Sequence, residues 1–228
     1  MKRRNTLYVL IAVLAIAISG SIGGTLAWLI DSTDEVVNTF TVGNIDITLT
    51  ETGANQNDDI WEKSYKMVPG DVIEKDPVVT VLKNSEKCYV FLQITESSNL
   101  AQYISYMVLE DNNAEDGFNG WVSYDATGYE NIYYRIVEVA STDTSFNIIG
   151  YQDEEKVTEQ TTDDDAVVEN KVLVKGSVTK TDMDNLEKEG ATLPTLSFKA
   201  AAVQFENRTL PQAWDLVKSN FQTTQETN

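Results

Sequence analysis

Short runs of apolar and β-branched residues, separated by turn-forming residues, make up most of the chain after about its first 40 residues. In several of these runs apolar and polar positions alternate with a period of two, which is typical of strands that bury one face. The pattern predicts strands at residues 40–42, 45–49, 78–82, 88–95, 103–109, 121–124, 132–139, 146–151, 167–178 and 196–206.

Two features of this pattern predict local geometry. The alternation changes its parity at Gly43 and Asn44, which indicates a bulge or a tight bend there. The runs at 78–82 and 88–95 are joined only by the short polar segment 83–87, so we expect them to form a β-hairpin.

Two segments near the C-terminus have helical spacing. Residues 181–189 begin with the candidate caps Thr181 and Asp182 and stop at Gly190, which is a typical C-terminal signal. Residues 211–221 begin with a proline, which suits a first helical turn. Four residues of this second segment share one helical face and are predicted to be buried: Ala213, Trp214, Val217 and Phe221.

Strands outnumber helices, and no strand–helix–strand alternation occurs, so a parallel sheet is not expected. The pattern predicts an all-β domain at residues 28–221, an antiparallel β-sandwich with one or two short helices. The acidic stretch 152–165 has no apolar period and is predicted to be a solvated loop. Residues 222–228 are predicted to be a polar tail.

Residues 1–27 have the pattern of a secretory signal peptide. Three cationic residues at positions 2–4 precede an uncharged apolar run at 7–18, and glycine and serine residues follow this run. The small residue Ala27 favours a cut between Ala27 and Trp28. The alternative is an uncleaved membrane anchor, since the uncharged segment 7–30 is long enough to cross a bilayer core of about 30 Å.

Composition and charge exclude several classes of function. The 228 residues include 17 Lys and Arg against 36 Asp and Glu, which gives a formal net charge of −19. Nucleic-acid binding is not expected, because neutralising phosphates needs clustered cations. The chain has no histidine and one cysteine, which excludes Ser-His-Asp sites, Cys-His sites and an intramolecular disulfide. With 42% hydrophobic residues the chain is too apolar for a disordered acidic tail, so we expect a packed core.

Carboxylate clusters are the remaining candidates for a metal site, and calcium is the ion that they suit. The nearest candidates are Asp163, Asp164 and Asp165, and the set Asp182, Asp184 and Glu187. Neither set reproduces the ligand spacing of an EF-hand loop. We expect a solvated loop for the first set and a helix start for the second, where carboxylates are stabilised without a metal. No metal site and no cofactor is predicted, and calcium binding stays open.

The cysteine and the tryptophans each allow a structural and a functional interpretation. Cys88 begins an alternating strand and is expected to be a small buried apolar residue; the alternative is a disulfide between molecules. Trp61, Trp121 and Trp214 are expected in core or rim packing; the alternative is a sugar-binding face.

Three stretches of the sequence carry a resemblance to a known family. They are GTLAW at 24–28 with Asp31 and NTFTVGNIDI at 38–47, then MVPGDVI at 67–73 with VLKN at 81–84, and finally LSFKAAAVQ at 196–204 with Ala213 and Trp214. These stretches resemble the TasA/camelysin family of secreted proteins from Gram-positive bacteria, whose signal peptides are cut by a dedicated signal peptidase. The resemblance brackets nearly the whole chain and is weakest at about 112–165.

The resemblance implies a jelly-roll-like sandwich that polymerises into extracellular fibres of a biofilm matrix. In the mechanism that it implies, the new N-terminal segment leaves its own fold and adds a strand to the neighbouring subunit. The residues assigned to this donated strand are Trp28, Leu29, Ile30, Val36, Val37, Phe40 and Val42, with 28–35 as a donor arm. Such an extended apolar segment is suited to pairing with an open sheet edge. The alternative is that residues 28–42 form the first strand of their own sandwich.

The sequence therefore predicts a secreted, non-enzymatic structural subunit of a fibre or biofilm matrix at the bacterial surface. Its expected partners are other copies of itself and, during export, the signal peptidase; matrix accessory proteins are further candidates. Neither nucleic acid nor, after cleavage, a membrane is expected as a partner. Camelysin-like proteins are described as metallopeptidases, but a zincin needs two helical histidines, which this chain lacks. The alternative function is a monomeric cell-surface binding module or adhesin accessory protein.

Overall fold

In the computed structural model, the described residues are 44–57, 60–110, 120–153 and 166–223. The predicted signal peptide, its cut and the predicted strand at 40–42 lie outside these ranges. So do most of the acidic stretch 152–165 and most of the tail 222–228. What the sequence predicts for these segments stays a prediction.

The described chain consists mostly of short strands, with three short helices. The strands are β1 (Ile47–Thr50), β2 (Asn55–Asn57), β3 (Ile60–Glu62), β4 (Val72–Glu74), β5 (Val78–Val81), β6 (Cys88–Glu96), β7 (Ile104–Ser105), β8 (Met107–Val108), β9 (Val122–Ser123), β10 (Ile132–Val137), β11 (Thr144–Asn147), β12 (Ile149–Gln152), β13 (Val167–Glu169), β14 (Lys171–Val174) and β15 (Leu196–Gln204). The helices are α1 (Leu100–Tyr103), α2 (Lys180–Leu186) and α3 (Leu210–Val217), and a 3-10 turn at Lys218–Asn220 follows α3.

The strands form small sheets in which every pairing between named strands is antiparallel. The largest sheet has four strands in the order β15-β6-β10-β9. Three-stranded sheets have the orders β1-β5-β11, β13-β12-β8 and β4-β14-β7, and β2 pairs with β3. The predicted all-β, antiparallel class is therefore confirmed.

The four-stranded sheet lies between two apolar cores. The first core fills the space between one face of this sheet and the three-stranded sheets, with Val79, Leu92 and Val174 among its fully buried residues. The second core lies between the opposite face and helix α3, and it contains Phe91 and Trp214. The architecture is sandwich-like, with α3 as an additional layer.

Strand β6 supplies side chains to both cores in strict alternation. Cys88, Val90, Leu92 and Ile94 belong to the first core, as the period-two pattern predicts, and Tyr89 and Phe91 belong to the second. Because both of its faces are covered, β6 has a nearly continuous apolar sequence rather than an alternating one.

The predicted hairpin between residues 78–82 and 88–95 is wrong. Strand β5 is paired on both sides, with β1 and β11, and β6 is paired on both sides with β15 and β10. Neither strand has a free edge for the other, so the connection crosses between two sheets. It is held there by Asp46, whose carbonyl accepts from the Leu82 N–H at 2.9 Å and whose N–H donates to the Ser85 hydroxyl at 3.1 Å.

Three predicted strands are each divided between different sheets. The run at 103–109 divides into β7, which pairs with β14, and β8, which pairs with β12. The run at 167–178 breaks at Asn170, whose φ of 60° turns the chain from β13 into β14. Asparagine adopts this left-handed conformation more readily than most residues. The run at 146–151 breaks at Ile148, which is fully buried between β11 and β12.

Both predicted helices exist, with shifted ends. Helix α2 is capped by Thr179 rather than by Thr181 or Asp182: the Thr179 N–H donates to the Asp182 carboxylate at 2.8 Å, and the Asp182 N–H donates to the Thr179 hydroxyl at 3.3 Å. This reciprocal pair is a capping box. Helix α3 begins one residue before Pro211, and its predicted apolar face is buried. No helix within the described ranges is long and apolar enough to cross a membrane.

Candidate functional site

The outer edge of β15 is the first surface feature with a functional implication. Over nine residues β15 pairs with β6, and no strand of the described chain pairs with its other side. The Phe205 N–H donates to the Lys87 carbonyl at 2.9 Å, and the Ser97 N–H donates to the Thr195 carbonyl at 3.0 Å. These two bonds fix the phase of the ladder, in which odd-numbered residues of β15 exchange hydrogen bonds with β6.

The even-numbered residues of β15 therefore direct their backbone N–H and C=O groups away from β6, toward the open edge. They are Leu196, Phe198, Ala200, Ala202 and Gln204. Natural edge strands are usually short, bulged or interrupted by proline and charge. This edge strand has nine residues, no proline and a single charged residue, Lys199. It is a ready template for an added strand.

The side chains along this edge are small or apolar and only partly covered. Leu196, Phe198 and Ala200 pack against the first core but are not fully buried. Strand β1 runs close by, with Cα atoms within 8 Å of those of β15, but no pairing joins the two strands among the described residues. The open edge thus leaves apolar side chains of the core accessible.

The described chain begins near the C-terminal end of β15. The Asn44 carbonyl accepts from the Glu86 N–H at 2.9 Å, and the next residue, Lys87, bonds to Phe205 at the C-terminal end of β15. The start of the described chain therefore lies near the C-terminal end of β15, and the Lys87–Phe205 bond is on the side of β15 that faces β6. The residues predicted for cleavage and donation lie outside the described ranges: Ala27, Trp28, Leu29, Ile30, Val36, Val37, Phe40 and Val42.

The lone cysteine belongs to the core. Cys88 is fully buried, and burial raises the pKa of its thiol to about 12. A protonated, inaccessible thiol is a poor partner for disulfide formation. This placement favours the apolar interpretation of Cys88 over an intermolecular disulfide.

The carboxylates of α2 have local structural roles. Asp182 closes the capping box, and its pKa is lowered by the hydrogen bonds from Thr179. Asp184 accepts two hydrogen bonds from Lys180, at 2.7 and 2.8 Å. Within the described ranges no group of three or more acidic or cysteine side chains is placed to hold a metal ion. The other candidate set, Asp163, Asp164 and Asp165, lies outside the described residues.

The tryptophans with described side chains are core residues rather than a sugar-binding face. Trp121 is almost fully buried in the first core, where its indole N–H donates to the Asn147 carbonyl at 2.9 Å. Trp214 stacks on Phe221 with ring centroids 5.3 Å apart and meets the Tyr129 ring edge-on at 5.1 Å. Trp61 lies in β3.

A cleft of about 990 Å³ opens between β10 of the four-stranded sheet and residues of β7, β8 and β11. We call it the inter-sheet cleft; its walls include Tyr106, Tyr133, Arg135, Ser145 and Phe146. Its volume is at the upper end of the range of small-molecule sites, which is about 300–1,000 Å³.

Arg135 is the unusual residue of the inter-sheet cleft. It is 7% exposed, and its Nε is buried with no hydrogen-bond partner among the residues that the structure describes. The guanidinium carbon lies 3.5 Å from the Phe146 ring centroid and 5.4 Å from that of Trp121. Burial lowers the pKa of Arg135 to about 10, so the side chain is still a cation at neutral pH.

Two of the acidic side chains that line the cleft are hydrogen-bonded to residues other than Arg135. Glu96 accepts from the Tyr106 hydroxyl, and Glu169 accepts from the Asn147 amide at 2.6 Å. Burial raises the pKa of Glu110. Sequence reasoning missed this cleft; the available signal was a single arginine inside the apolar strand IYYRIV of β10.

Comparison of the chain with protein-family models, with characterised proteins and with solved structures finds no match.

Proposed function

We propose that the chain is a secreted structural subunit of an extracellular fibre or biofilm matrix. In this proposal the signal peptide is cut between Ala27 and Trp28, and the freed N-terminal segment adds a strand to the neighbouring subunit. The proposal includes a jelly-roll-like arrangement of the sandwich and no enzymatic activity. Other copies of the chain are the principal partners.

The open edge of β15 is the observation that carries this proposal. It presents outward backbone groups at Leu196, Phe198, Ala200, Ala202 and Gln204, and no described strand covers them. An added strand would satisfy these groups with main-chain hydrogen bonds, while its alternate side chains fill the partly covered surface of the first core. A donated apolar segment needs both the backbone hydrogen bonds and the apolar surface for its side chains.

The entry point of the N-terminal segment also supports the proposal. The described chain begins at Asn44, whose carbonyl accepts from the Glu86 N–H near the C-terminal end of β15. In this proposal the preceding segment either covers the β15 edge of its own fold or leaves that edge open for another copy. Before cleavage the segment is tied to the signal peptide, so proteolysis would act as the switch for assembly.

Charge limits the forces that can hold such a fibre together. The full chain has a formal net charge of −19, and cleavage would remove the three cations at positions 2–4, so mature copies would be more negative still and repel one another. Screening by salt acts over about 8 Å at physiological ionic strength. Assembly must therefore rest on backbone pairing and apolar contact. We expect polymerisation to be faster at higher salt, since screening weakens the repulsion.

Electron microscopy of the secreted protein tests the proposal. We expect filaments from the mature chain and monomers after deletion of residues 28–35, with the circular dichroism of the monomer unchanged. Deletion of residues 224–228 is the matched control and should leave filaments intact; Gln222 is kept because it exchanges two hydrogen bonds of 2.8 Å with Gln93 of β6. Filaments that persist without residues 28–35 would show that the arm has no role in assembly.

Point substitutions separate donation from intramolecular packing. Trp28→Asp combined with Ile30→Asp should block filaments and leave the monomer folded, because the arm then has no apolar side chains to insert. Loss of folding in this variant would instead favour the alternative in which residues 28–42 are the first strand of their own sandwich. A mature protein that stays monomeric at every concentration and salt would favour the cell-surface binding module.

A further inference from the structure

The guanidinium of Arg135 is a buried cation for which the described part of the chain supplies no counter-ion. No hydrogen bond or ion pair engages it among the described residues, although it is 7% exposed. Burying an unpaired charge is costly, so such groups are normally paired or bind a ligand. Phe146 and Trp121 contribute ring faces, which attract the cation but do not satisfy its N–H donors.

The geometry holds this cation ready for a ligand. Arg135 pairs with Val90 in the centre of the four-stranded sheet, so its backbone is fixed. Its guanidinium is stacked at 3.5 Å on Phe146, which belongs to a different sheet. The side chain lines the inter-sheet cleft, and the planar fork of its N–H groups matches a carboxylate with two parallel hydrogen bonds.

The charge of the cleft favours a ligand with one negative charge over a ligand with two. Glu96, Glu110 and Glu169 line it together with the cations Arg135 and Lys175. Since these acidic groups outnumber the cations, a phosphate with two charges would be poorly compensated. A single carboxylate adds the least negative charge that can still pair with Arg135, which has no charged partner among the described residues.

The remaining walls suit a body that is rich in hydroxyl groups. The tyrosine rings of Tyr106 and Tyr133 are partly exposed, and aromatic rings offer an apolar surface to the C–H face of a sugar. Glu110, Ser105 and Asn147 supply hydrogen-bonding groups that can meet sugar hydroxyls. Apolar surface with a few placed polar groups is typical of ligand sites.

We infer that the inter-sheet cleft binds a sugar acid of the uronic type, whose carboxylate pairs with the Arg135 guanidinium. This site is lined by residues other than those of β15, and it does not depend on fibre assembly. Binding requires no change in the fold, because the cleft and the stacked guanidinium are already in place.

Titration calorimetry of the secreted protein with D-glucuronate tests the site, with D-glucose and inorganic phosphate as probes of the same cleft. We expect heat from D-glucuronate and none from D-glucose. Arg135→Met should lower the affinity at least about tenfold, which corresponds to about 1.4 kcal/mol. Arg208→Met is the matched control, since Arg208 is partly exposed and its guanidinium donates to the Glu206 carbonyl outside the cleft; it should bind as the unchanged protein does.

Three results would overturn the inference. They are the absence of heat from D-glucuronate at millimolar concentration, undiminished binding by Arg135→Met, and tighter binding of phosphate than of D-glucuronate.

A thermal melt of the ligand-free protein gives a second readout. If Arg135 awaits a ligand, Arg135→Met removes an uncompensated buried charge and should leave the melting temperature unchanged or raise it. A large fall in melting temperature, repeated when the acidic residues at 154–165 are neutralised, would show that Arg135 serves an acid of its own chain. That result would also overturn the inference.

Discussion

The guanidinium carbon of Arg135 lies 3.5 Å from the centroid of the Phe146 ring, so a cation of β10 is stacked on an aromatic ring of β11 in another sheet. This contact joins the two sides of the sandwich at the inter-sheet cleft. It is also the principal compensation that the described structure offers to a buried cation.

Replacing the ring should therefore destabilise the fold. Phe146→Leu keeps an apolar side chain but removes the π face, and we expect the free energy of unfolding to fall by about 1–2 kcal/mol. Phe146→Tyr keeps the face and should remain close to the unchanged protein. Urea denaturation measures both variants, and equal stabilities for Leu and Tyr at this position would contradict a cation–π role.

Stability should fall at alkaline pH because of Cys88. Burial raises the pKa of its thiol from 9.0 to about 12, so the folded state holds this proton more tightly than the unfolded state does. The contribution to stability is complete below pH 9 and is lost as the pH rises toward 12. The loss should approach about 1.4 kcal/mol per pH unit.

Urea denaturation at pH 8, 9 and 10 measures this loss, and Cys88→Ala, which has no thiol, should flatten the profile in that window. The series stops at pH 10 because Tyr65 and Tyr106 would contribute at higher pH. Their pKa values are also raised, first by burial and then by hydrogen bonds to Glu51 and Glu96. A profile that is equally steep in Cys88→Ala would assign the loss to other groups.

Gly150 is required where β12 pairs with β13. A Cβ added at Gly150 would lie 2.7 Å from the backbone oxygen of Val168, which cannot move without opening the sheet. We expect Gly150→Ala to lower the free energy of unfolding by about 1–3 kcal/mol.

Gly176→Ala is the matched control for this steric effect. No atom lies within 4 Å of a Cβ at Gly176, so this change should stay within about 1 kcal/mol of the unchanged protein in the same denaturation experiment. Equal effects at the two glycines would indicate that the Val168 contact is not the cause.

The phase of the β15 ladder predicts opposite effects for proline at adjacent positions. Ala200 directs its N–H to the open edge, so Ala200→Pro should leave the pairing with β6 intact and block addition of a strand. Ala201 is opposite Phe91 in the hydrogen-bonded phase, so Ala201→Pro removes a ladder bond inside the sheet.

Circular dichroism and electron microscopy distinguish these outcomes. We expect Ala200→Pro to be folded but deficient in filaments, and Ala201→Pro to lose about 3 kcal/mol or more of stability. Normal filaments from Ala200→Pro would place the acceptor edge elsewhere on the fold. This result would not contradict the role of residues 28–35 as the donor arm.

Patterns of neighbouring residues in the sequence correctly predict which face of a strand or helix is buried. The alternation from Cys88 to Ile94 correctly predicts which side chains of β6 share the first core, because side-chain direction follows from strand geometry alone. The buried face of α3 is confirmed for the same reason, since its apolar residues recur at helical spacing.

Which strands pair with each other depends on residues far apart in the sequence, and the prediction of a hairpin from neighbouring residues is wrong. The short polar link after Val81 suits a hairpin, yet β5 and β6 find their partners among residues far along the chain. The inter-sheet cleft is equally non-local: Arg135 and Phe146 meet only when two sheets stack. A charge in the middle of an apolar strand was the single local sign of that site.

Strand β6 is covered on both faces by the two cores and bonded along both edges by β10 and β15. Its amide protons therefore have no route to solvent short of dismantling the whole domain, and deuterium exchange at Val90, Phe91 and Leu92 should proceed only through global unfolding. The protein is thus expected to denature as one cooperative unit with β6 at its centre. Binding at the β15 edge or in the inter-sheet cleft should not change this.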